Sequence, residues 1–380
     1  MKIFKINPNT DFNEICNIIK PHKMGQKIMS QKSKIHFFLI KDIKAPAANI
    51  LKQDALRVGA ELITHKEVIL AKEYSNALLM ATQEQIVKLI EKEKMQDFKL
   101  KELANFLKFN FSKPKKAKLM GVININEDSF NPQSRAKESE VLQKITQFIE
   151  QGADYIDIGA VSSRPKSVYC GKEEEFKRLK NTLDMIYQEN LYNQCIFSLD
   201  SFDEYCLEYA LDRGFKLIND ISGLKNENLA KLALKYKATY MLMHMQNTPQ
   251  NMQDDPHYED VLAELDEFFA QKLAILERFG VKDVILDVGI GFGKSPWHNM
   301  MLIKHLEHFL HFEKELLIGA SRKSVINAYF PSDVENRLAG SLYLHLEAFK
   351  NGASILRVHD IYDHKQMFEL VKAMDELSLE

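Results

Sequence analysis

A glycine-rich segment with the sequence D-V-G-I-G-F-G-K occupies residues 287–294 and contains groups that could bind a planar ligand. It follows the apolar residues 284–286, which predict a buried parallel strand, so the Asp287 carboxylate is expected where that strand ends. Barrel and open α/β enzymes hold their active sites at this end of the strands. The glycines let the backbone turn tightly beside a flat ligand, and Phe292 offers a ring for stacking. A glycine-rich loop alone is weak evidence for a binding site, so the ends of the other predicted strands must be considered as well.

Polar residues also end the other predicted strands from residue 119 onward. A single Asn or Asp after a strand is usually a turn or cap residue, and a lone His is usually structural. Polar groups at the end of every strand favour one shared site over separate caps. These residues are Asn124, Asp157, Asp200, Asn219 with Asp220, His244, Asp287, the triplet Ser321, Arg322 and Lys323, and Arg357 with His359 and Asp360.

Regular alternation of apolar and amphipathic segments follows residue 119. Its length and order match an eight-stranded closed barrel, whereas an open doubly wound sheet rarely needs eight strands. The predicted strands are 119–125, 154–159, 195–200, 216–221, 239–245, 283–288, 315–320 and 354–359. The predicted helices lie near 138–151, 173–189, 203–213, 227–236, 259–279, 299–312, 335–350 and 363–377. The sequence therefore predicts an α/β fold, a parallel (β/α)8 TIM barrel over residues 119–380.

Residues 1–112 predict an additional small α/β domain, whose role the sequence does not indicate. Its predicted strands are 2–6, 35–40, 61–63 and, more weakly, 68–70, and its predicted helices are 11–19, 47–58 and 82–94. Residues 113–118, K-P-K-K-A-K, follow this domain. Proline and neighbouring like charges disfavour both helix and strand, so this segment predicts a linker.

Composition narrows the class of protein. A chain of 380 residues with 45% hydrophobic and 27% charged residues is an ordinary soluble globular mixture. No apolar run approaches the ~20 residues that span a bilayer, so no membrane association is expected. The N-terminal part is basic and the remainder acidic, but the lysines are scattered without interleaved aromatics, so no nucleic-acid partner is expected. The cysteines lack paired spacing, which predicts reduced thiols in a cytoplasmic protein; they are Cys16, Cys170, Cys195 and Cys206.

The charges at the strand ends indicate the ligand chemistry. Asp200, Asn219 and Asp287 could pair with the ring N–H and amino groups of a heterocycle, and Lys323 could donate to its carbonyl or ring nitrogen. Asn124, Arg357 and His359 form a second polar set. Because Arg makes bidentate contacts to phosphate and His can add a hydrogen bond, the site is predicted to hold a heterocycle with a phosphate-like group.

Several motifs together resemble dihydropteroate synthase, from about residue 119 to the C-terminus. The set is specific because the motifs occur in the order of that family. No such resemblance covers residues 1–110. The motifs are M-G-V-I-N at 120–124 with D-S-F at 128–130, I-D-I-G at 156–159 with S-S-R-P at 162–165, L-I-N-D-I-S-G at 217–223, M-H-M-Q at 243–246, the glycine-rich segment, S-R-K at 321–323 and R-V-H-D at 357–360.

This resemblance implies a folate-biosynthetic transferase that joins 6-hydroxymethyl-7,8-dihydropterin diphosphate to 4-aminobenzoate. It also implies Mg²⁺ as cofactor, small-molecule substrates and a homodimer. By similarity, the catalytic residues would be Asp200, Lys323, Arg357 and His359. The pterin would be held by Asp200, Asn219, Met243, Asp287, Phe292, Gly319 and Lys323. The aminobenzoate would contact Phe130, Ser163, Arg164 and Pro165, and the diphosphate would contact Asn124, Arg357 and His359, with Asn124 also binding the metal.

Two loops depart from the family pattern. Asn126 and Glu127 stand where Thr-Pro is usual, and Ala160 and Val161 stand where Gly-Glu is usual. The pterin-side motifs are intact, so these changes are expected to affect the mobile loops and aminobenzoate binding. Two alternatives remain open at this point: a pterin-binding methyltransferase that serves a corrinoid, and a pterin-binding scaffold without catalysis.

Overall fold

A computed structural model describes residues 1, 3–8, 10–70, 74–125 and 134–377 of the chain. The chain divides into two compact units, which are mainly Met1–Asn110 and Phe111–Asp375. Each unit has its own apolar core. Within the described residues, no helix is long and apolar enough to cross a bilayer.

The first unit is a three-stranded antiparallel sheet with helices. The strand order is β1–β3–β2, so the last strand in sequence lies in the centre. Buried Leu51, Leu79 and Leu89 link the helices to this sheet in one core. Its strands are β1 (Ile35–Lys44), β2 (Glu61–Thr64) and β3 (Tyr74–Thr82), and its helices are α1 (Phe12–Ile19), α2 (Lys23–Ser30), α3 (Ala45–Val58), α4 (Gln83–Glu93) and α5 (Leu100–Phe106).

The second unit is the predicted closed barrel, with eight parallel strands. Its hydrogen-bonded order runs β10–β11–β4–β5–β6–β7–β8–β9, so the first and last barrel strands are neighbours. The strands are β4 (Lys118–Asn124), β5 (Tyr155–Gly159), β6 (Ile196–Asp200), β7 (Leu217–Asp220), β8 (Thr239–Met243), β9 (Val284–Asp287), β10 (Glu315–Ile318) and β11 (Ile355–Val358). The first of these strands begins at Lys118, the last residue of the predicted linker.

Helices alternate with the barrel strands and bury their apolar faces against them. They are α6 (Ser134–Glu150), α7 (Lys172–Gln188), α8 (Glu204–Leu211), α9 (Asn228–Tyr236), α10 (Val261–Arg278), α11 (Pro296–Lys304), α12 (Ser324–Tyr329), α13 (Leu338–Lys350) and α14 (Ile361–Asp375). The single helix predicted near 299–312 is instead two pieces. His305 separates α11 from a 3₁₀ helix, Leu306–Phe312.

Predictions for the first unit were less accurate than those for the barrel. The strand predicted at 2–6 is absent from the described residues 3–6, and Val68–Leu70 is a 3₁₀ helix rather than a strand. The sequence reading also missed β3, α2 and α5. β3 reads Y-S-N-A-L-L-M-A-T, in which Ala, Leu and Met favour helix; pairing on both sides overrides that local preference.

Candidate active site at the carboxyl ends of the barrel strands

The interior of the barrel is built in layers that follow the period-two alternation of the strands. An apolar layer fills the lower part, and it contains Met120, Tyr155, Leu217, Met241, Ile285, Leu317 and Ile355. Side chains two residues further along a strand point to the same side. The residues two positions after those of the apolar layer are Val122, Asp157, Asn219, Met243, Asp287, Gly319 and Arg357. A mostly polar layer therefore lies directly on the apolar one.

Arg357 is the centre of this polar layer. Its Nε donates to Asp157 Oδ2 at 2.7 Å, and its Nη2 donates to Asp200 Oδ2 at 2.9 Å. The same Asp157 oxygen accepts from Asn219 Nδ2 at 3.0 Å. Asp157 is fully buried, and its other oxygen, Oδ1, has no hydrogen-bond partner among the described residues. The polar layer thus holds one guanidinium between two carboxylates.

The environment shifts the pKa of Asp200 strongly. Burial raises it to about 7, with repulsion from Asp157 and Glu175 adding to the effect and attraction to Arg357 opposing it. Burial also raises the pKa of Asp287, against the opposing charge of Lys323. Asp200 can therefore change protonation near neutral pH, as groups at active sites often do.

The glycine-rich loop has a conformation that requires two of its glycines. Gly289 and Gly293 have φ values of 69° and 61°. A Cβ at Gly289 would lie 2.0 Å from the carbonyl oxygen of His244, and one at Gly293 would lie 2.7 Å from that of Gln246. The loop therefore approaches the β8 loop more closely than any side chain allows. Asp287 Oδ1 accepts from Gly289 N at 2.8 Å and fixes the start of the turn.

Two lysines lie within this loop region. Lys323 donates its Nζ to the carbonyl of Ile290, and the same Nζ lies 4.6 Å from the centre of the Phe292 ring. Lys294 is 2% exposed, and its Nζ lies 2.9 Å from His244 Nδ1. Burial lowers the pKa of Lys323 to about 8 and that of Lys294 to about 7. Lys294 Nζ also donates to the carbonyl oxygens of His244 and Phe292, so this amine joins the loops after β8 and β9, and Lys323 is the amine that could bind a ligand.

An apolar cluster lies beside these charges. Phe292 and Met243, both predicted to be near the pterin ring, belong to one buried cluster with Ile221 and Met252. The sequence reading did not identify Met252, which lies in the loop after β8. Gly319 lies beside the polar groups, since a Cβ there would be 3.5 Å from Arg357 Cβ and 3.9 Å from Lys323 Nζ. An apolar cluster beside polar groups is the combination that suits a flat, polar heterocycle.

His359 lies at the mouth of the barrel beside Ser321. The Nδ1 of His359 is 3.0 Å from Ser321 Oγ, and the His359 amide donates to the same hydroxyl at 3.3 Å. Burial and the nearby charge of Arg357 lower the pKa of His359 to about 4. The imidazole is therefore neutral at pH 7.

Residues behind the mouth hold the β10 and β11 loops together. Arg322 forms a bidentate pair with Asp360, with distances of 2.9 and 2.8 Å. The Ala320 amide donates to His345 Nε2 at 3.0 Å, so His345 must carry its proton on Nδ1, which lies 2.7 Å from His364 Nε2. The sequence reading missed both histidines, which lie on the outer helices α13 and α14.

The remaining predicted residues lie on the loops of the mouth. Asn124 is exposed at the end of β4, where its Oδ1 is 3.5 Å from the position of a Cβ on Gly159. It makes no hydrogen bond to Arg357 or His359, so the structure brings Arg357 to the carboxylates rather than to Asn124.

The loop after β5 supplies the other predicted aminobenzoate contacts. Ser163 is half-buried, whereas Arg164 and Pro165 are exposed. Ser167 Oγ donates to the Arg164 carbonyl at 2.7 Å, which makes this loop a compact turn. Phe130 lies outside the described residues.

Asp157, Lys294 and His244 are site residues to which the sequence reading gave no role. Asp157 was noted only as a strand-end residue, and its position two residues after the interior Tyr155 was the available signal. His244 was noted only as a strand-end and motif residue, and Lys294 only as the last residue of the glycine-rich segment. Their contact could not be predicted because it joins positions 50 residues apart.

Comparison with known proteins identifies the family. Residues 120–359 match the family model described as pterin binding enzyme. The bifunctional dihydropteroate synthase/dihydropteroate reductase of Helicobacter pylori is 41% identical over 379 residues, which cover 99% of this chain and 100% of that protein. The dihydropteroate synthase of Haemophilus influenzae is 34% identical over 67% of this chain and 93% of its own length. The Xanthomonas albilineans synthase, solved with 4-aminobenzoic acid, has a TM-score of 0.63 and 29% identity over 69% of this chain and 94% of its own.

The chain therefore belongs to the pterin-binding enzymes. Within that family it is placed among the dihydropteroate synthases, transferases of folate biosynthesis, as the sequence motifs predicted.

Proposed function

We propose that the residues at the barrel mouth join 6-hydroxymethyl-7,8-dihydropterin diphosphate to 4-aminobenzoate in the following arrangement. The pterin ring lies against the apolar cluster that contains Phe292 and Met243. Asp287 and Asn219 pair with its ring N–H and amino groups, and Lys323 donates to its acceptors. The observation that carries this proposal is the polar layer itself, in which the donors and acceptors that a pterin needs lie beside one apolar cluster.

The diphosphate lies on the side of His359 and Asn124. Because His359 is neutral and its Nδ1 faces the Ser321 hydroxyl, the imidazole would donate through Nε2 to a phosphate oxygen. Arg357 reaches the leaving group from its position between Asp157 and Asp200. Its charge then stabilises the diphosphate as the bond breaks.

Mg²⁺ fits the oxygen donors at this mouth. Such an ion commonly binds one or two protein oxygens and completes its shell with substrate phosphates and water. The exposed Asn124 amide oxygen offers one such ligand. Bound there, Mg²⁺ would neutralise part of the charge on the diphosphate.

The reaction is a dissociative substitution, in which bond breaking precedes bond formation. The bond between the pterin methylene and the diphosphate oxygen breaks, and its electron pair leaves with the diphosphate. The positive charge spreads into the dihydropterin, close to Asp200 and Asp287. The aromatic amine then forms the new C–N bond and loses one proton, so the protein supplies no nucleophile. The loop with Ser163, Arg164 and Pro165, with Phe130, would hold the aminobenzoate and exclude water.

The sharpest test of the leaving-group assignment is His359→Ala. We expect kcat for dihydropteroate formation to fall about 10²- to 10³-fold, as on loss of one donor to a developing anion. Affinity for a pterin without diphosphate should stay unchanged. Arg357→Ala is less informative because Arg357 also binds two carboxylates beside the pterin. His305→Ala, an exposed histidine outside the barrel mouth, is the matched control. Equal loss of affinity for the bare pterin would refute the assignment.

The match to the bifunctional relative over nearly the whole chain favours a second activity for this protein. The bifunctional relative matches 99% of this chain, including residues 1–110, whereas the Haemophilus influenzae synthase matches only 67%. We therefore propose that the full chain also reduces dihydropteroate, adding a hydride from a reduced nicotinamide nucleotide, which becomes the oxidised nucleotide, and one proton from solvent. The first unit would be needed for that step alone.

Truncation separates the two activities. A chain beginning at Phe111 keeps the whole barrel unit and should retain synthase activity while losing the reductase. Reduction is measured by mass spectrometry of the product after incubation with dihydropteroate and NADH or NADPH. Absence of reduced product from the full chain would exclude the second activity and leave the synthase assignment intact.

Assembly and location are further proposals. The exposed Tyr343 on α13 and Tyr362 on α14 offer a surface for a homodimer. All four cysteines are free in the structure, which supports a reducing, cytoplasmic location. Light scattering tests the dimer, and fractionation tests the location.

A further inference from the structure

Two histidines and one aspartate meet on the outside of the barrel, away from the residues of the mouth. Asp266 lies on α10, and His308 and His311 lie on the 3₁₀ helix that follows α11. Asp266 Oδ1 is 2.5 Å from His311 Nε2 and 3.1 Å from His308 Nε2. One oxygen and two ring nitrogens therefore converge, with each pair of these atoms within 4.8 Å.

The 3₁₀ helix explains why both rings face the same way. With three residues per turn, side chains at positions i and i+3 lie directly above each other. The His308 and His311 ring centres are 5.2 Å apart. Phe269 of α10 contacts Phe309 of the 3₁₀ helix edge to face, with ring centres at 5.7 Å. That apolar contact fixes the two helices, so the three polar groups are held together by packing as well as by their hydrogen bonds.

The chemistry of the three groups suits a transition-metal ion. Imidazole nitrogen with one carboxylate oxygen is a donor set preferred by Zn²⁺ and its first-row neighbours, whereas Mg²⁺ prefers oxygen alone. Tetrahedral zinc with bonds of about 2.0–2.1 Å needs ligand atoms ~3.3 Å apart. The two distances from Asp266 Oδ1 differ from this value by less than ~1 Å, and the half-buried side chains of Asp266 and His308 can adjust to it.

The three side chains differ in their exposure to solvent. His311 is nearly buried, while His308 and Asp266 remain partly exposed. Solvent can therefore reach one side of the cluster and supply a fourth ligand.

We propose that Asp266, His308 and His311 form a second metal site that binds one divalent first-row ion, with Zn²⁺ as the reference ion. The site lies between two outer helices and does not take part in the synthase reaction. Bound metal would join α10 to the 3₁₀ helix and stabilise the barrel, because an ion that binds only the folded state raises its stability.

Zinc titration of the full chain tests this site. After treatment with a chelator, the wild-type protein should bind one more equivalent of Zn²⁺ than His308→Asn or Asp266→Asn, or bind it at least tenfold more tightly. Millimolar Mg²⁺ should not displace it. His305→Asn is the matched control, since this exposed histidine on the same segment lies outside the cluster. It should bind zinc as the wild type does.

A spectroscopic readout and a stability readout make the test independent of catalysis. Co²⁺ should give visible absorption in the wild type and in His305→Asn but not in Asp266→Asn. Zinc should raise the melting temperature of the wild type and not that of Asp266→Asn, and synthase activity should be equal in all variants, which shows that they are folded. Equal zinc stoichiometry and affinity in wild type and His308→Asn would overturn the proposal, as would an equal loss in His305→Asn.

Discussion

Replacing Asp157 by asparagine tests the assignment of this buried carboxylate as the group that positions Arg357. Asp157 Oδ2 accepts from Arg357 Nε at 2.7 Å and from Asn219 Nδ2 at 3.0 Å. Hydrogen bonds to a charged group contribute about 1.5–3 kcal/mol, against about 0.5–1.5 kcal/mol between neutral groups. The new amide N–H₂ would also point where Oδ1 now has no partner among the described residues.

Together these losses amount to roughly 2–4 kcal/mol, because Arg357 keeps its contact with Asp200 and removal of a buried charge relieves some desolvation. A domain of this size loses roughly 2–4 °C in melting temperature per kcal/mol, so we expect a fall of about 4–16 °C. Trp297 is the only tryptophan in the chain and lies on α11. Its fluorescence therefore follows unfolding of the barrel and not of the first unit.

The same variant should change the pH dependence of pterin binding. Repulsion from Asp157 helps to raise the pKa of Asp200 to about 7, so removal of that charge should lower it. If ionised Asp200 binds the pterin, wild-type affinity declines as pH falls through about 7, and the variant should show this decline at lower pH.

Ser198→Ala is the matched control for Asp157→Asn. Ser198 is the neighbour of Asp157 in the β5–β6 register, and its buried hydroxyl has no partner among the described residues. Its removal should leave stability and pH dependence nearly unchanged. An Asp157→Asn protein with wild-type stability and an unshifted pH profile would refute the positioning role.

Three other substitutions have defined outcomes. Asp287→Asn keeps its shape but sets a donor against the donors of the pterin, so affinity should fall at least several-fold at a cost on the order of 1–3 kcal/mol; unchanged affinity by titration would make Asp287 a turn residue only. Gly289→Ala places a Cβ 2.0 Å from the carbonyl oxygen of His244, so the barrel should melt well below wild type; a normal melting curve would contradict the loop geometry. Burial raises the pKa of Glu93 in α4 from 4.5 to about 7, so the stability of the first unit should decline as pH rises from about 4.5 through 7 and level off above it. Glu93→Gln should remove this slope, which hydrogen exchange of α4 in the full chain would show at pH 6 and 8; identical slopes in both proteins would argue against it.

The sequence by itself determined the barrel and the residue types of its mouth. Each barrel strand is a short apolar run between amphipathic helices, and its ending is marked by a polar residue such as Asp200 or Asp287. The alternation of residues along a strand is a property of the local sequence. The positive φ that favours glycine at position 289 is also a local property of the backbone. Both can be recognised without knowing which strands are neighbours.

The first unit shows where such local reasoning fails. β3 carries residues that favour helix, and it becomes a strand because β1 and β2 pair with it on both sides. Pairing energy from two neighbours exceeds the small differences in local preference between residues. The sequence around Tyr74–Thr82 contains no information about those neighbours.

The tertiary structure alone decided which polar groups meet. Arg357 binds Asp157 across 200 residues of sequence, and Lys294 reaches His244 across 50. Asp266 likewise meets His308 and His311 only because α10 packs beside the 3₁₀ helix. These contacts depend on barrel closure and helix packing, which bring distant residues within 3 Å and exclude the water that would otherwise separate their charges.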